Sequence, residues 1–218
     1  VICWDGKGGS NRRREVVKEY KEGRKPLKKN YEVEGMTEQT EKENKIWQQQ
    51  ILMEIINNMP FIQLMVDNVE ADDVIAYVAK SQIYKDYQKV IISSDKDFIQ
   101  LLDSKTILFR PVQDKIHNVK NVLEEFKIHP TNFALARSIA GDASDNLDGV
   151  PGAGLKTIAK RLDFLSEDKS HTLESVIDYC DNQETKVKFY QEVVSHRQVV
   201  ETNYKLMNLV PPMISPQG

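Results

Sequence analysis

The stretch that decides the fold runs over residues 89–98 and reads KVIISSDKDF. Its first half is an apolar run of the length and composition typical of a buried β-strand. Two carboxylates, Asp95 and Asp97, follow at once, and a short helical pattern continues from there. A strand that leads through polar side chains into a helix is the repeating unit of an open parallel sheet, where ligands bind at the carboxyl ends of the strands. We therefore predict an α/β fold with acidic side chains along one edge of a parallel sheet.

Acidic residues follow two earlier predicted strands in the same way. Asp5 ends the first of these strands, and Glu70, Asp72 and Asp73 follow the second. Because the carboxyl ends of parallel strands share one edge, we expect these acids to converge although they are far apart in sequence. With a further pair after a predicted helix, the clustered carboxylates are Asp5, Glu70, Asp72, Asp73, Asp95, Asp97, Asp142 and Asp145.

The chemistry of this cluster predicts the kind of ion that it would hold. Carboxylate oxygens without thiolate or imidazole partners favour Mg²⁺ or Mn²⁺ over Zn²⁺, and the histidines and cysteines are scattered along the chain. The alternative for each acid alone is a helix cap, which the helix dipole favours by about 0.3–1 kcal/mol. Several clusters at successive strand ends favour a metal site over independent caps.

Strand signals fade after residue 119. Helical patterns follow at residues 119–126, 130–140, 155–164, 172–180 and 185–203. Strands that alternate with helices and then give way to helices alone predict a parallel α/β core with an appended helical region. We place the core at residues 1–119 and the helical subdomain at residues 120–218.

A glycine-rich turn, residues 149–157 with the sequence GVPGAGLKT, joins two of the predicted helices. Glycine permits left-handed backbone and close approach, so N–H groups at the start of the next helix can face a phosphate. We predict a helix–hairpin–helix at about residues 141–165 that grips a nucleic-acid backbone without reading its sequence. The residues predicted to contact nucleic acid there are Gly152, Ala153, Gly154, Lys156 and Thr157. The alternative is a turn with a structural role only.

The net charge of −3 hides a basic stretch near the start of the chain. Its cationic residues are Arg12, Arg13, Arg14, Lys18, Lys21, Arg24, Lys25, Lys28 and Lys29. Tyr20 lies beside Lys21 and near Arg24, and an aromatic ring flanked by cations can stack on a base while the cations meet phosphates. A solvated loop is the alternative, since many charged runs form one.

Other features narrow the class of protein. No apolar run approaches the roughly 20 residues that a membrane-spanning helix needs. Cys3 and Cys180 have no metal-binding spacing, which favours a reducing compartment such as the cytoplasm. The chain begins at Val1 without a methionine, as if inside a strand, and we expect an earlier strand to be missing.

Taken in order, these motifs resemble those of the flap endonuclease/5′-3′ exonuclease family, in particular its bacteriophage exonucleases and the phage ribonuclease H. The matching segments are residues 4–7 (WDGK), 69–73 (VEADD), 93–98 (SSDKDF) and 141–152 (GDASDNLDGVPG), together with Arg13, Tyr20, Lys21 and Arg24. The resemblance implies a PIN-like parallel sheet core flanked by helices, with a C-terminal helix–hairpin–helix (H3TH) subdomain. It also implies a helical arch, at about residues 11–45, that a free 5′ end threads.

The resemblance also implies roles for individual residues. A first, tighter metal ion would be held by Asp5, Asp72, Asp73 and Asp95. A second would be held by Asp97, Asp142 and Asp145, with Glu70 in the shell of either ion. Lys21 and Arg24 would steer and polarise the scissile phosphate. Two features depart from the family pattern: its first strand with a metal-binding aspartate is absent, and Lys18 replaces a proline before Tyr20 and Lys21.

The expected function is that of a structure-specific 5′ nuclease. It would cleave DNA or RNA–DNA with a free 5′ end or flap by a mechanism with two Mg²⁺ ions, with Mn²⁺ as a substitute, and leave 5′-phosphates. We expect a monomer without a membrane partner, and a replication polymerase or single-strand binding protein as protein partners. The alternatives are a non-catalytic binder of DNA structures, a PIN-type ribonuclease that cuts single-stranded RNA, and a phosphatase-like enzyme.

Overall fold

The computed structural model describes residues 1–22, 38–184 and 187–209. In this part of the chain no helix is both long and apolar enough to cross a membrane. Arg24 and the middle of the predicted arch, from residue 23 to residue 37, lie outside the described residues.

The described strands form two small sheets. In the first sheet β1 (Ile2–Trp4) pairs in parallel with β2 (Gln63–Met65). In the second, β3 (Lys89–Ile92) pairs in parallel with β4 (Thr106–Arg110), and β4 pairs antiparallel with β5 (Lys115–His117). The parallel α/β core is therefore confirmed, and the last two strands form a hairpin. The two sheets share no ladder hydrogen bonds among the described residues.

Nine α-helices surround these sheets within the described residues. They are α1 (Asn11–Val16), α2 (Glu38–Asn57), α3 (Ala71–Lys80), α4 (Val119–Phe126), α5 (Phe133–Ala140), α6 (Leu155–Arg161), α7 (Leu173–Asp181), α8 (Lys188–Ser195) and α9 (Arg197–Met207). Short 3₁₀ helices occupy Gln82–Tyr84, Asp97–Leu101, Pro111–Gln113, Pro130–Asn132, Ala143–Asp145 and Asp163–Ser166.

Several helices differ from the predicted ones. The pattern at residues 185–203 predicted one helix, and this is corrected to α8 and α9, which meet at His196. The pattern at residues 130–140 begins with a 3₁₀ turn, because proline lacks an N–H and fits best at a helix start. The α1 helix was not predicted, since none of its residues is buried and its sequence shows little periodicity.

One continuous cluster of buried side chains fills the interior. It includes Phe98, Ile99 and Leu108 from the first half of the chain and Phe133 and Ile139 from the second, all almost fully buried. The cluster therefore extends to both sides of the boundary predicted at residues 119–120, and the division into two domains stays a prediction.

Helix α9 positions the loop that follows α5. The buried Asn203 side chain donates hydrogen bonds to the backbone oxygens of Ser138, at 3.0 Å, and Asp148, at 2.8 Å. An amide that bonds two backbone carbonyls across elements fixes their relative position. The acidic loop at residues 141–148 is thereby held against the end of the chain's last described helix.

Candidate active site

Glu70 is the buried centre of an ion-pair network at the start of α3. Arg13 Nη1 donates to Glu70 Oε2 at 2.6 Å, and Lys21 Nζ donates to Glu70 Oε1 at 2.8 Å. Arg13 also binds Asp73 through two parallel hydrogen bonds, of 2.8 and 2.9 Å. A carboxylate that is 5% exposed is stable in its charged form only when it is paired and hydrogen-bonded. Glu70 therefore serves here as an anchor for two cations.

Asp5 joins the end of β1 to the start of α3. Its Oδ1 accepts a hydrogen bond of 2.9 Å from the backbone N–H of Ala71, the first residue of the helix. The free N–H groups at a helix start and the helix dipole both favour a carboxylate there. Asp5 is thus a helix cap in this structure, as the alternative for single acids states, and its other oxygen remains available for a ligand.

Four aspartates from three segments of the chain line one small cavity. They are Asp72 from α3, Asp95 and Asp97 from the turn and 3₁₀ helix after β3, and Asp145 from the loop after α5. The cavity has a volume of about 20 Å³, which is enough for a single water-sized species. Of the acids predicted to converge from strand ends, Asp72, Asp95 and Asp97 line this cavity, and Asp145 joins them from the loop after α5. The other predicted ligands, Asp5, Glu70, Asp73 and Asp142, are not part of its lining.

Burial and mutual repulsion oppose ionisation of two of these carboxyls. Burial and the charge of Asp95 raise the pKa of Asp72 to about 7. Burial also raises the pKa of Asp97 to about 6, although the charge of Arg137 opposes the rise. Carboxyls that are crowded in this way are stabilised in their charged form by a cation placed between them.

Arg137, on α5, bridges two of the predicted metal ligands. Its Nε donates to Asp97 Oδ1 at 2.9 Å, and its Nη2 donates to Asp142 Oδ2. Asp142 also accepts from the backbone N–H and the hydroxyl of Ser144, at 2.8 and 2.6 Å. Burial acts in the opposite direction, but the hydrogen bonds from Ser144 and the charge of Arg137 lower the pKa of Asp142.

The side chains that converge on the cavity are of the chemical type that binds a hard divalent cation. All the converging groups are carboxylates, which Mg²⁺ and Mn²⁺ prefer. In residues 1–22, 38–184 and 187–209 no group of three or more acidic, histidine or cysteine side chains is arranged to hold a metal ion as it stands. Three cations, Arg13, Lys21 and Arg137, occupy oxygens of the predicted ligands Glu70, Asp73, Asp97 and Asp142.

Two side chains that we predicted to bind nucleic acid, those of Tyr20 and Arg13, instead make contacts within the protein. Tyr20 is 4% exposed and packs with Leu147, Leu206 and Met207, so the predicted stacking on a base is corrected for this conformation. Arg13 uses its Nη atoms on Glu70 and Asp73, and its Nε donates to the Leu206 backbone oxygen at 3.0 Å. Arg13 is therefore a positioning residue, whereas the Lys21 side chain pairs with Glu70 and stays 19% exposed.

The glycine turn before α6 presents an open surface. A Cβ placed on Gly152 or Gly154 would meet no atom within 4 Å, and Gly152 has a φ of +75°. Lys156 is exposed at the start of α6. Ala153 departs from the prediction, because its side chain is buried and its N–H donates to the Val150 oxygen at 3.0 Å. The N–H of Thr157 likewise bonds the Gly154 oxygen, at 2.8 Å.

Arg137 is the site residue that sequence reasoning missed. It stands in an amphipathic helix, where an arginine is typical of a solvated face. The one available signal was its place four residues before Gly141 and five before Asp142, because a residue one helical turn upstream can reach the helix end.

Comparisons with known proteins agree with this geometry. Residues 1–127 match the family model described as the 5'-3' exonuclease, N-terminal resolvase-like domain. A 5'-3' exonuclease of Aquifex aeolicus is 29% identical over 160 residues, which are 73% of this chain and 52% of that protein. A 5'-3' exonuclease of Buchnera aphidicola is 31% identical over 158 residues, 72% of this chain and 50% of that protein. The chain thus spans about half the length of these relatives.

Solved structures of a bacteriophage T5 protein share the fold. The T5 D15 protein co-crystallised with metal ions superposes with a TM-score of 0.73 at 24% identity, over 95% of this chain and 74% of that one. The T5 D15 flap endonuclease in a pseudo-enzyme-product complex with DNA and metal ions gives 0.70 at 25% identity, over 95% and 72%. With a family match over more than half of its residues, this chain belongs to the flap endonuclease/5'-3' exonuclease family.

Proposed function

We propose that this chain is the catalytic core of a structure-specific 5′ nuclease that hydrolyses phosphodiester bonds of DNA or RNA–DNA. The observation that carries the proposal is the convergence of four aspartates from three chain segments on one cavity. A cluster of this kind, with carboxyl pKa values raised to about 6 and about 7, is typical of a functional site and serves no purpose in packing.

Two Mg²⁺ ions, for which Mn²⁺ can substitute, are the cofactors that the donor set supports. The residues proposed for one ion are Asp5, Asp72, Asp73 and Asp95, and those for the other are Asp97, Asp142 and Asp145, with Glu70 beside both. Bound divalent ions supply an activated water and polarise a phosphoryl oxygen, and the products would carry 5′-phosphates.

Lys21 is the residue of this chain proposed to act on the scissile phosphate. The Lys21 ammonium lies 2.8 Å from Glu70 Oε1. Its positive charge opposes the rise in the pKa of Asp72, so it stands close to the acidic cavity. Its backbone is left-handed, with a φ of 58°, and its N–H donates to the Asp145 oxygen at 3.1 Å. A fixed cation at this place would stabilise the negative charge that develops on the phosphate. Arg24 is proposed for the same role on the family resemblance alone.

The nucleic acid would be held by its backbone and its shape. The open turn at Gly152 and Gly154 and the exposed Lys156 support contact with a duplex phosphate. The complex of the T5 flap endonuclease with DNA supports a DNA substrate, and matches to thermostable DNA polymerase I of Thermus species support a replication polymerase as the partner. We propose that the chain acts as a monomer.

A labelled 5′-flap substrate tests the proposal. The chain should release a product with a 5′-phosphate in Mg²⁺ or Mn²⁺ and none in EDTA. Asp95→Asn should lower the rate by about a hundredfold or more, because a metal-binding oxygen is lost, and should leave DNA affinity within about twofold. Asp114→Asn is the matched control, because Asp114 has a φ of 46°, a conformation that asparagine also adopts readily.

The same assay separates the alternatives. Tight flap binding without any metal-dependent product would replace the nuclease by a non-catalytic binder of DNA structures. Preferential cleavage of a single-stranded RNA lacking a 5′ flap would replace it by a PIN-type ribonuclease.

A further inference from the structure

A second, larger cavity lies on the outer side of Arg13. It has a volume of about 400 Å³ and is formed by α1, the start of α3 and the end of α9. Arg13 and Leu206 line both this cavity and the small acidic one, so the two are neighbours that share a wall. A cavity of this volume is in the range of small-molecule sites and is large enough for a nucleotide unit.

The charged groups that line this cavity make it a site for anions. Arg12, Arg13 and Lys205 contribute three positive charges, and Asp73 contributes one negative charge. The Asp73 carboxylate is neutralised by its two hydrogen bonds from Arg13. The side chains of Arg12 and Lys205 are exposed, and no ion pair joins either of them to an acid of the described residues. Two cations that face one cavity, and that have no ion-pair partner in the part of the chain that the structure describes, favour a phosphate between them.

An aromatic ring completes the lining. Tyr204, the residue before Lys205 on α9, lines the cavity and is half-buried, because it also packs against the hydrophobic core. A tyrosine face beside two cations is the combination that binds one nucleotide of a single strand, with the base on the ring and the phosphate on the cations. The function described above assigns no role to Arg12, Tyr204 or Lys205.

We propose that this cavity binds one nucleotide of the single-stranded 5′ arm, with its base on Tyr204 and its phosphate between Arg12 and Lys205. The proposal rests on the proposed 5′ nuclease function and adds to it a contact for the strand next to the scissile phosphate. Arg13, between the two cavities, separates the nucleotide bound here from the phosphate that lies over the carboxylates.

Metal-free binding measurements test the cavity independently of cleavage. Fluorescence anisotropy in EDTA compares one duplex with a single-stranded 5′ arm and the same duplex without it. Arg12→Glu/Lys205→Glu should weaken binding of the armed duplex by about tenfold or more and reduce the slope of log affinity against log salt by roughly 1.4, about 0.7 for each cation. Both residues are exposed, so the variant should fold.

A matched control has the same change in charge at another surface. Lys85→Glu/Lys120→Glu alters two exposed lysines that are absent from both cavities. Equal losses in the two double variants, or equal losses for armed and unarmed duplexes, would overturn the proposal, because they would show a general effect of charge.

The ring is tested separately. Tyr204→Phe should bind the arm as the wild type does, and Tyr204→Leu should lose about tenfold, since only the first keeps a face for stacking. Loss in both or in neither would overturn the placement of the base. If the wild type binds the armed duplex but does not cleave it in Mg²⁺, the nuclease proposal fails while these binding results remain interpretable.

Discussion

Arg13 and Asp73, 60 residues apart, are joined by two parallel hydrogen bonds of 2.8 and 2.9 Å, and the same guanidinium also binds Glu70. This contact connects α1 to α3, and through the Leu206 oxygen it connects both to the end of α9. The contact fixes the direction of the Asp73 and Glu70 side chains in the metal-free protein, and it uses both oxygens of Asp73.

Removal of this guanidinium should destabilise the fold. Arg13→Ala leaves two largely buried carboxylates without their main partner and should lower the free energy of unfolding by about 3 kcal/mol. Arg13→Lys should lose about half as much, because an ammonium cannot form the two-pronged contact. Urea unfolding measures both. Arg14→Ala, at an exposed position of the same helix, is the control, and a loss equal to that of Arg13→Ala would contradict this role.

Arg137 should compete with divalent cations for Asp97 and Asp142. Arg137→Met should lower the free energy of unfolding by about 2–4 kcal/mol in the absence of metal, because it leaves both carboxylates unpaired. Excess Mg²⁺ should then raise the melting temperature of the variant by more than it raises that of the wild type, since the ion can take the freed oxygens. An equal rise in both proteins, measured by calorimetry, would show that these two acids do not bind the ion.

The raised pKa of Asp72 predicts that the stability of the metal-free protein depends on pH. This pKa is raised from 3.8 to about 7 in the folded state, so the folded protein holds this proton more tightly than the unfolded one. The stabilisation from this group is fully present below about pH 4 and is lost as the pH rises through about 7. Asp72→Asn should therefore be more stable than the wild type at about pH 8, by on the order of 2 kcal/mol, and not at about pH 4. A gain that is equal at both pH values would refute this explanation.

A substitution at Gly154 can test nucleic-acid contact without disturbing the fold. The Gly154 φ of −67° suits any residue, and an added Cβ would meet no atom within 4 Å. Gly154→Ala should therefore leave the melting temperature unchanged and lower duplex affinity by about fivefold or more, because the Cβ would stand between the turn and a phosphate. Gly152→Ala, at a φ of +75°, should lower stability by about 1 kcal/mol. Unchanged duplex affinity of Gly154→Ala would argue against a phosphate at this turn.

Local patterns in the sequence predicted much of the fold. The α4 helix was predicted residue for residue at 119–126 from its helical pattern, and the structure shows that the Asn118 side chain caps it. The β3 strand was predicted from one apolar run, and the acids that follow it were therefore expected at its carboxyl end. The convergence of Asp72 with Asp95 followed from the rule that parallel strands end at one edge.

Contacts between distant segments could not be predicted in the same way. Tyr20 is buried because Leu206 and Met207 cover it, and nothing near residue 20 indicates that a helix almost 190 residues later lies there. Arg137 reaches Asp97 across 40 residues. From the neighbouring sequence alone, each of these side chains would be expected on a solvated surface. Only the packing of α9 and α5 places it in the interior.

The central claim is that the converging aspartates form a divalent-metal centre. Titration of Mn²⁺ into the metal-free chain, followed by electron paramagnetic resonance of the free ion at about pH 8, tests it most directly, since both raised carboxyl pKa values lie below that pH. The wild type and Asp114→Asn should bind the ion equally, and Asp72→Asn/Asp95→Asn should bind it about tenfold or more weakly. Equal Mn²⁺ affinity in all three proteins would contradict the claim.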